Sequence, residues 1–98
     1  MLLTTEQIEQ KLVLLNQLSV GNNPWQFLQG QLIKTFHFAT FDEALSWMND
    51  VAIYIEKFDH HPEWLNIYNK VEVKLMTHQE KGITHLDFDL AQKMQKLA

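Results

Sequence analysis

The 98-residue chain contains no cysteine, few glycines and prolines, and no long apolar run. The absence of cysteine excludes disulfide bonds and thiolate metal ligands, and it is compatible with a reducing cytosol. No stretch is apolar for long enough to cross a bilayer, and the first residues lack the basic and apolar segments of a secretory signal. We therefore expect a cytoplasmic protein with no membrane contact.

Positive charge is also scarce. Eight Lys and Arg face twelve Asp and Glu, and the formal net charge of −4 provides no overall attraction to nucleic acid. The chain has no glycine-rich phosphate loop, and no serine or cysteine stands beside a base, which disfavours nucleotide hydrolysis and covalent catalysis. Length and 46% hydrophobic content predict a single domain, residues 1–98, with one core. The function class left by these exclusions is acid/base chemistry on a small molecule.

Three helices are predicted from their start signals and apolar periodicity. Each begins at a threonine with the spacing of an N-terminal cap, at Thr4, Thr40 and Thr84. The second helix, from 41 to about 58, has apolar residues over about half of its circumference, which is more than one packing face requires. Either this helix is deeply buried in a small core, or its surplus apolar arc packs on a second subunit.

The remaining pattern predicts strands. Residues 25–28 and 32–38 are predicted to form a hairpin that turns at Gly30. From 67 to 78 the side chains alternate with a period of two, which predicts one long strand. The order helix, hairpin, helix, strand, helix indicates an α+β fold with an antiparallel sheet and helices on one face.

Two adjacent histidines, His60 and His61, lie where the helical pattern of residues 41–58 ends. Imidazole can give or take a proton near neutral pH, so the pair suggests proton transfer. Pro62 pushes His61 toward extended backbone, in which consecutive side chains point in opposite directions. The two histidines should therefore have different roles. His78 follows in the predicted long strand, and its spacing alone does not show whether it returns to the pair.

Two alternative roles for these histidines stay open. Imidazolium at a helix C-terminus is favourable, so the pair can simply close the helix. Three histidines with Asp59, Glu63 or Asp87 can also supply the ligands of a metal site. The spacing argues against metal, since ligands on one helix usually stand at i and i+4 and those on a strand at i and i+2. Glu56 and Asp59 are most simply acids at a helix end and in a turn.

The sequence resembles the pterin-4a-carbinolamine dehydratase family from about residue 25 to the end. The resemblance rests on the segments Glu56–Trp64, Asn66–Val71 and Thr77-His78, and on Gly82 with Asp87. It implies a four-stranded antiparallel sheet covered on one side by helices. It also implies a lyase that dehydrates 4a-hydroxytetrahydropterin to quinonoid dihydropterin, recycling the cofactor of aromatic amino acid hydroxylases. The family needs no metal or organic cofactor.

The resemblance also assigns residue roles. It implies that His60 and His78 are the acid/base pair and that His61 positions the pterin. The residues expected to contact the substrate are Glu56, Asp59, Pro62 and Asp87 at the pocket, with Trp25 as an aromatic wall. Family members form homodimers or homotetramers, which would cover the surplus apolar arc. Alternatives are a non-catalytic module that helps a transcription factor to dimerise and a role in molybdopterin metabolism.

Overall fold

The computed structural model describes residues 1–19 and 21–98, which form three helices and a four-stranded sheet. The helices are α1 (Thr5–Asn16), α2 (Phe41–Phe58) and α3 (His85–Leu97). The strands are β1 (Gln26–Leu28), β2 (Gln31–His37), β3 (Glu63–Ile67) and β4 (Lys70–Leu75). All neighbouring strands are antiparallel, and their order is β1-β2-β4-β3. The predicted α+β class is confirmed, and the fourth strand implied by the resemblance is present.

The three predicted caps are confirmed. The Thr4 hydroxyl accepts a hydrogen bond from a backbone N–H in the first turn of α1, and Thr40 and Thr84 do the same for α2 and α3. These contacts satisfy backbone donors that a helix cannot satisfy itself. Helix α2 ends at Phe58, as predicted, because Asp59 adopts a left-handed conformation with φ 48° and ψ 47°. That residue turns the chain toward the histidine pair.

The prediction of one long strand over 67–78 was wrong. A two-residue turn at Tyr68 and Asn69 divides this stretch, so that Ile67 closes β3 and pairs with Lys70 at the start of β4. Tyr68 has φ 53°, a left-handed conformation that sequence analysis normally signals through glycine. No glycine or proline marks this turn in the sequence, so the period-two pattern of side chains runs through it and predicts a single strand.

The core lies between the sheet and the helices. Its buried apolar residues come from one face of β2 and β4 and from the inner faces of α2 and α3, namely Leu32, Phe36, Val71, Val73, Leu75, Ala44, Trp47, Val51, Ile55, Leu90, Ala91 and Met94. Trp47 brings α2 onto the sheet, with its ring centroid 4.5 Å from that of Phe36. The outer face of the sheet carries exposed residues such as Leu65 and Ile67. The predicted packing of helices on one face is confirmed.

Part of the apolar arc of α2 is not covered by this chain. Phe41 and Leu45, at one edge of this arc, are 42% and 41% exposed, and Ile53, which lies outside the arc, is 64% exposed. Packing on a second subunit stays a prediction for this surface. No helix in the part of the chain that the structure describes, α2 included, has the length and apolarity needed to cross a membrane.

Candidate active site

A histidine-lined cleft opens where the end of α2 meets the loop after β4. Its volume is about 280 Å³, and it is lined by Asp59, His60, His61, Met76, Thr77, His78 and Gln79. This volume is just below the roughly 300–1,000 Å³ of typical small-molecule sites, so the cleft suits a small ring system and not a large ligand. All three histidines singled out from the sequence therefore lie in one place.

His60 is buried at the floor of this site. Its side chain is 9% exposed, and its backbone N–H donates to the carbonyl of Ile55, which extends the end of α2. Its Nε2 lies 2.6 Å from Oδ1 of Asp87, a distance typical of a short charge-assisted hydrogen bond. The sequence placed His60 outside the apolar stripe of α2, but burial at the helix end makes it a packing residue as well.

Asp87 stands behind His60 and is completely buried, with an exposure of 0%. It occupies the first turn of α3, where the helix dipole favours negative charge. Its second oxygen, Oδ2, accepts hydrogen bonds from the Thr77 hydroxyl and the Thr84 backbone N–H, both at 2.9 Å. The family resemblance implied that Asp87 lies at the pocket margin as a substrate contact. The structure instead places it beneath the cleft, where it can orient His60.

The side chain of His61 is exposed whereas that of His60 is buried, as expected if consecutive side chains in extended backbone point in opposite directions. The His61 side chain is 62% exposed, and its Nε2 lies 3.6 Å from Oε1 of Glu56, a carboxylate that is itself 81% exposed. Asp59 is exposed beside them and lines the cleft, whereas half-buried Pro62 leads the chain into β3. Asp59 and His61 thus form the outer side of the cleft, and Glu56 adjoins it through its contact with His61.

His78 faces the cleft from the loop after β4. The side chain of Thr77 is buried and continues the inward face of Val73 and Leu75, so His78 points outward, with 59% of its side chain exposed. Its Nε2 lies 3.5 Å from Oε1 of Glu63 on β3. Backbone hydrogen bonds in both directions between Thr77 and Gly82 close the base of this loop. These hydrogen bonds fix the backbone next to His78.

Trp25, a predicted site residue, lies in the core and not at this cleft. It is 1% exposed, and its ring centroid lies 5.7 Å from that of Phe36 in the core. Its backbone N–H donates to the Asn16 side chain, and its Nε1 donates to the Gln95 side chain. Trp25 thus joins the end of α1 to the last turns of α3, where its ring forms part of the core.

The charges of the cleft are distributed over three separate pairs. Each of its histidines has a different carboxylate partner: His60 with Asp87, His61 with Glu56, and His78 with Glu63. Within residues 1–19 and 21–98, no group of three or more His, Asp or Glu side chains is arranged to hold a metal ion. Separate pairs suit proton transfer at several points around a ligand.

Four residues at or behind the cleft were not predicted as site residues. Met76, Thr77 and Gln79 line it, and the Thr84 hydroxyl lies behind it, 2.7 Å from that of Thr77. One signal was present in the sequence, since a threonine that continues an apolar strand face beside a histidine requires a buried polar partner. Thr84 was recognised only as a helix cap, and nothing in the sequence distinguished Gln79.

A second depression, of about 210 Å³, lies on the outer face of the sheet. It is lined by Glu63, Trp64, Leu65, Glu72 and Lys74. None of these side chains ordinarily changes its charge near neutral pH, in contrast to the three imidazoles. The histidine cleft is therefore the better candidate for acid/base chemistry.

Comparison with known proteins identifies a family that covers almost the whole chain. The family model for pterin 4 alpha carbinolamine dehydratase matches residues 1–97, which includes α1. A protein of Jannaschia sp. is 50% identical over 82 residues, covering 82% of this chain and 84% of that protein. It bears the name pterin-4-alpha-carbinolamine dehydratase provisionally.

Two solved structures share the fold. The crystal structure of a transcriptional coactivator/pterin dehydratase from Brucella melitensis has a TM-score of 0.90 and 38% identity, covering 100% of this chain and 99% of that one. A pterin dehydratase-like protein identified as a RuBisCO assembly factor in the alpha-carboxysome has a TM-score of 0.64 at 18% identity, covering 80% and 90%, and shows likeness of fold alone. By sequence and by structure, this chain belongs to the pterin-4-alpha-carbinolamine dehydratase family.

Proposed function

We propose that the protein dehydrates 4a-hydroxytetrahydropterin to quinonoid dihydropterin by histidine acid/base catalysis. The observation that carries this proposal is the gathering of three imidazoles, each beside its own carboxylate, in one ring-sized cleft. Membership of the family supports the choice of a pterin as substrate.

The reaction needs two proton transfers. The bond between carbon 4a and its hydroxyl oxygen breaks, and that oxygen leaves as water after it takes a proton from an acid. A neighbouring ring nitrogen loses its proton to a base, and its electrons form the new carbon–nitrogen double bond. One molecule of water is lost, with no oxidation or reduction. Histidine can act as either acid or base near neutral pH, where such catalysis contributes roughly 10²–10⁴-fold.

We assign these steps to His60 and His78. The two side chains line the same cleft from different segments, so a ring between them can meet an acid on one side and a base on the other. His60 is fixed by Asp87, whereas His78 is solvent-accessible and can exchange its proton with water between turnovers. His61, at the outer side with Glu56, Asp59 and the adjoining Pro62, positions the pterin.

We also propose a cellular location and a pathway for this protein. Residues 1–98 act as one catalytic domain in the cytoplasm and recycle the pterin cofactor of aromatic amino acid hydroxylases. We further propose that the protein forms a homodimer or homotetramer. The support is the exposed apolar surface on α2, at Phe41, Leu45 and Ile53. Covering such a surface in a second copy would stabilise the assembly through the hydrophobic effect.

The test is the rate of 4a-hydroxytetrahydropterin dehydration, followed by ultraviolet absorbance with purified, metal-free protein. Wild type should accelerate the reaction, and His78→Ala should remove most of the acceleration. His37→Ala is the matched control, because His37 is an exposed histidine on β2 outside the cleft. If the two variants lose equal activity, or if wild type gives no acceleration, the proposal is wrong.

A non-catalytic role in binding a partner is the second candidate. The exposed apolar residues of α2 favour it, because a partner protein would use that surface without needing the histidines. The related protein from Brucella melitensis is named both as a transcriptional coactivator and as a pterin dehydratase. A wild-type protein that binds pterin without accelerating dehydration would favour this alternative over catalysis. Activity that depends on His78 would favour the enzyme.

A further inference from the structure

The hydrogens around Asp87 can be assigned by counting donors. Its Oδ2 receives the Thr84 backbone N–H and the Thr77 hydroxyl, so this carboxylate acts as an acceptor on that side. The remaining oxygen, Oδ1, faces Nε2 of His60 at 2.6 Å. A buried carboxylate requires donors on both oxygens, and the imidazole is the one available for Oδ1. Nε2 of His60 therefore carries a hydrogen and donates it.

The two threonine hydroxyls form a directional chain behind this contact. Thr77 has one hydroxyl hydrogen, and Asp87 receives it. In the 2.7 Å contact between the two hydroxyl oxygens, Thr84 must then be the donor. The Thr84 oxygen in turn accepts the backbone N–H of Leu86 at the start of α3. The hydrogens of this chain thus point from the N-terminus of α3 toward Asp87, which also accepts the hydrogen of His60.

The other nitrogen of His60, Nδ1, makes no hydrogen bond to the part of the chain that the structure describes. In that part of the chain, every fully buried side-chain nitrogen or oxygen has a hydrogen-bond partner. Because Nδ1 has none, it is not fully buried and is accessible from outside. His60 also lines the cleft. With Nε2 occupied by Asp87, Nδ1 is the atom that the imidazole presents to a ligand.

We propose that Thr77 and Thr84 are positioning residues that hold His60 as its Nε2–H tautomer, so that Nδ1 is the atom that exchanges a proton with the pterin. The catalytic meaning of this inference rests on the proposed function, whereas the tautomer itself does not. When Nδ1 takes a proton, Asp87 stabilises the imidazolium that forms, and the threonine donors keep Asp87 from turning away.

The first test is spectroscopic. Imidazole nitrogens with and without hydrogen differ strongly in ¹⁵N chemical shift, so the spectrum distinguishes the two neutral tautomers from each other and from the imidazolium. Wild type should show His60 with hydrogen on Nε2. Thr77→Val should give a mixture of tautomers, and Thr77→Ser, which keeps the hydroxyl, should restore the wild-type spectrum. Hydrogen on Nδ1 in wild type would overturn the proposal.

The second test is kinetic and uses matched controls. Thr77→Val should lower kcat about tenfold with little change in KM, because it removes a hydrogen bond to a buried charge. Thr35→Val is the control, since Thr35 is a half-buried strand threonine outside the cleft. Thr84→Val should be compared with Thr40→Val. Both remove a helix cap, but only the first should alter kcat and the His60 spectrum.

The variant Asp87→Asn tests the tautomer most directly, because it should reverse it. Its amide can turn an NH₂ group toward His60, so that Nε2 becomes an acceptor and the hydrogen moves to Nδ1. We expect the opposite tautomer and a loss in kcat of roughly 10²–10⁴-fold. An unchanged tautomer in both Asp87→Asn and Thr77→Val would refute the inference. A wild-type protein that has the Nε2–H tautomer but no dehydratase activity would sink the proposed function and leave the positioning role intact.

Discussion

Helix α3 holds two polar clusters, one toward each end, and in the part of the chain that the structure describes the one at the N-terminal end adjoins the histidine cleft. At its N-terminal end, Asp87 is surrounded by donors from His60, Thr77 and Thr84. At its C-terminal end, Gln95 accepts hydrogen bonds from Lys34 and Trp25 instead. The first is a buried anion with a titratable partner, and the second is a buried cation held by neutral oxygens.

The cation is the poorer fit to its surroundings. Lys34 is 7% exposed, and its Nζ lies 2.7 Å from Gln95 Oε1, 3.4 Å from Ser19 Oγ and 4.9 Å from the ring centre of Phe36. Among the described residues, no carboxylate lies within 4 Å of it. Desolvation by burial accordingly lowers the pKa of Lys34. A buried polar cluster is thus not in itself a sign of function. Access to a cleft and a group that titrates near neutrality distinguish the cluster at Asp87.

The largest expected effect separates the two histidines assigned to proton transfer. His60→Ala and His78→Ala should each lower turnover by roughly 10²–10⁴-fold, because each removes an acid or base. His60→Ala should also lower thermal stability, since Asp87 then loses a donor in the interior. His78 is exposed, so His78→Ala should leave the melting temperature nearly unchanged. Turnover and thermal unfolding of both variants check this, and equal melting temperatures would contradict it.

Asp87→Ala breaks the first cluster. It leaves the Thr77 hydroxyl, the Thr84 N–H and the His60 ring without their buried acceptor. We expect the free energy of unfolding to fall by about 3 kcal/mol, measured by urea denaturation. Asp89→Ala is the matched control, because Asp89 is an exposed aspartate on the same helix. Equal losses in the two variants would show that the buried contacts contribute nothing.

His61→Ala should have a smaller effect, on binding. Because His61 lies at the outer side of the cleft beside Glu56, its removal should raise KM about tenfold and leave kcat within about twofold. Initial rates over a range of substrate concentrations separate the two constants. A large loss of kcat at unchanged KM would instead make His61 a proton-transfer residue.

Lys34→Met sharpens the comparison from the other end of α3. Methionine keeps an unbranched apolar stem and removes the buried charge, so the free energy of unfolding at pH 7 should rise by up to about 1 kcal/mol. Turnover should not change, since Lys34 does not line the cleft. Lys70→Met, at an exposed lysine on β4, is the control. A destabilised Lys34→Met would mean that the hydrogen bond to Gln95 outweighs the burial of charge.

The smallest expected effect is in the pH dependence of stability. Because the pKa of Lys34 is lowered in the folded state, the unfolded chain binds more protons between that pKa and the unfolded value of about 10.4. Stability should therefore rise with pH in this window through Lys34, and at lower pH this group gives no slope. The advantage of Lys34→Met should shrink from pH 7 toward about pH 10, in urea titrations at each pH. A constant advantage would refute this account of Lys34.

Most of the fold was predictable because its signals are local. The caps at Thr4, Thr40 and Thr84 and the end of α2 at Phe58 follow from side-chain chemistry within one turn of helix. The hairpin of β3 and β4 was missed because Tyr68 takes a left-handed conformation without glycine. The pairing of β2 with β4 joins segments far apart in the chain, and no local pattern encodes such a partner.

The candidate site was predictable only in part. The resemblance implied that His60, His61 and His78 act at one site, and the three side chains line one cleft. The solvent exposure of each residue was not predictable. Asp87 and Trp25 are buried by tertiary packing, which the spacing of residues along the sequence does not reveal. Thr84 shows the same limit. Its role as a cap is local, but its hydroxyl reaches Thr77 across the fold.

The most direct test of the account uses the five histidines of the chain as internal probes. A stable reduced pterin, 7,8-dihydropterin, would be titrated into ¹⁵N-labelled protein while the imidazole resonances are recorded. We predict that His60, His61 and His78 shift in a saturable way, whereas His37, on the outer face of the sheet, does not. Saturable shifts at His37 with none in the cleft would place the pterin elsewhere and contradict the assignment of the active site.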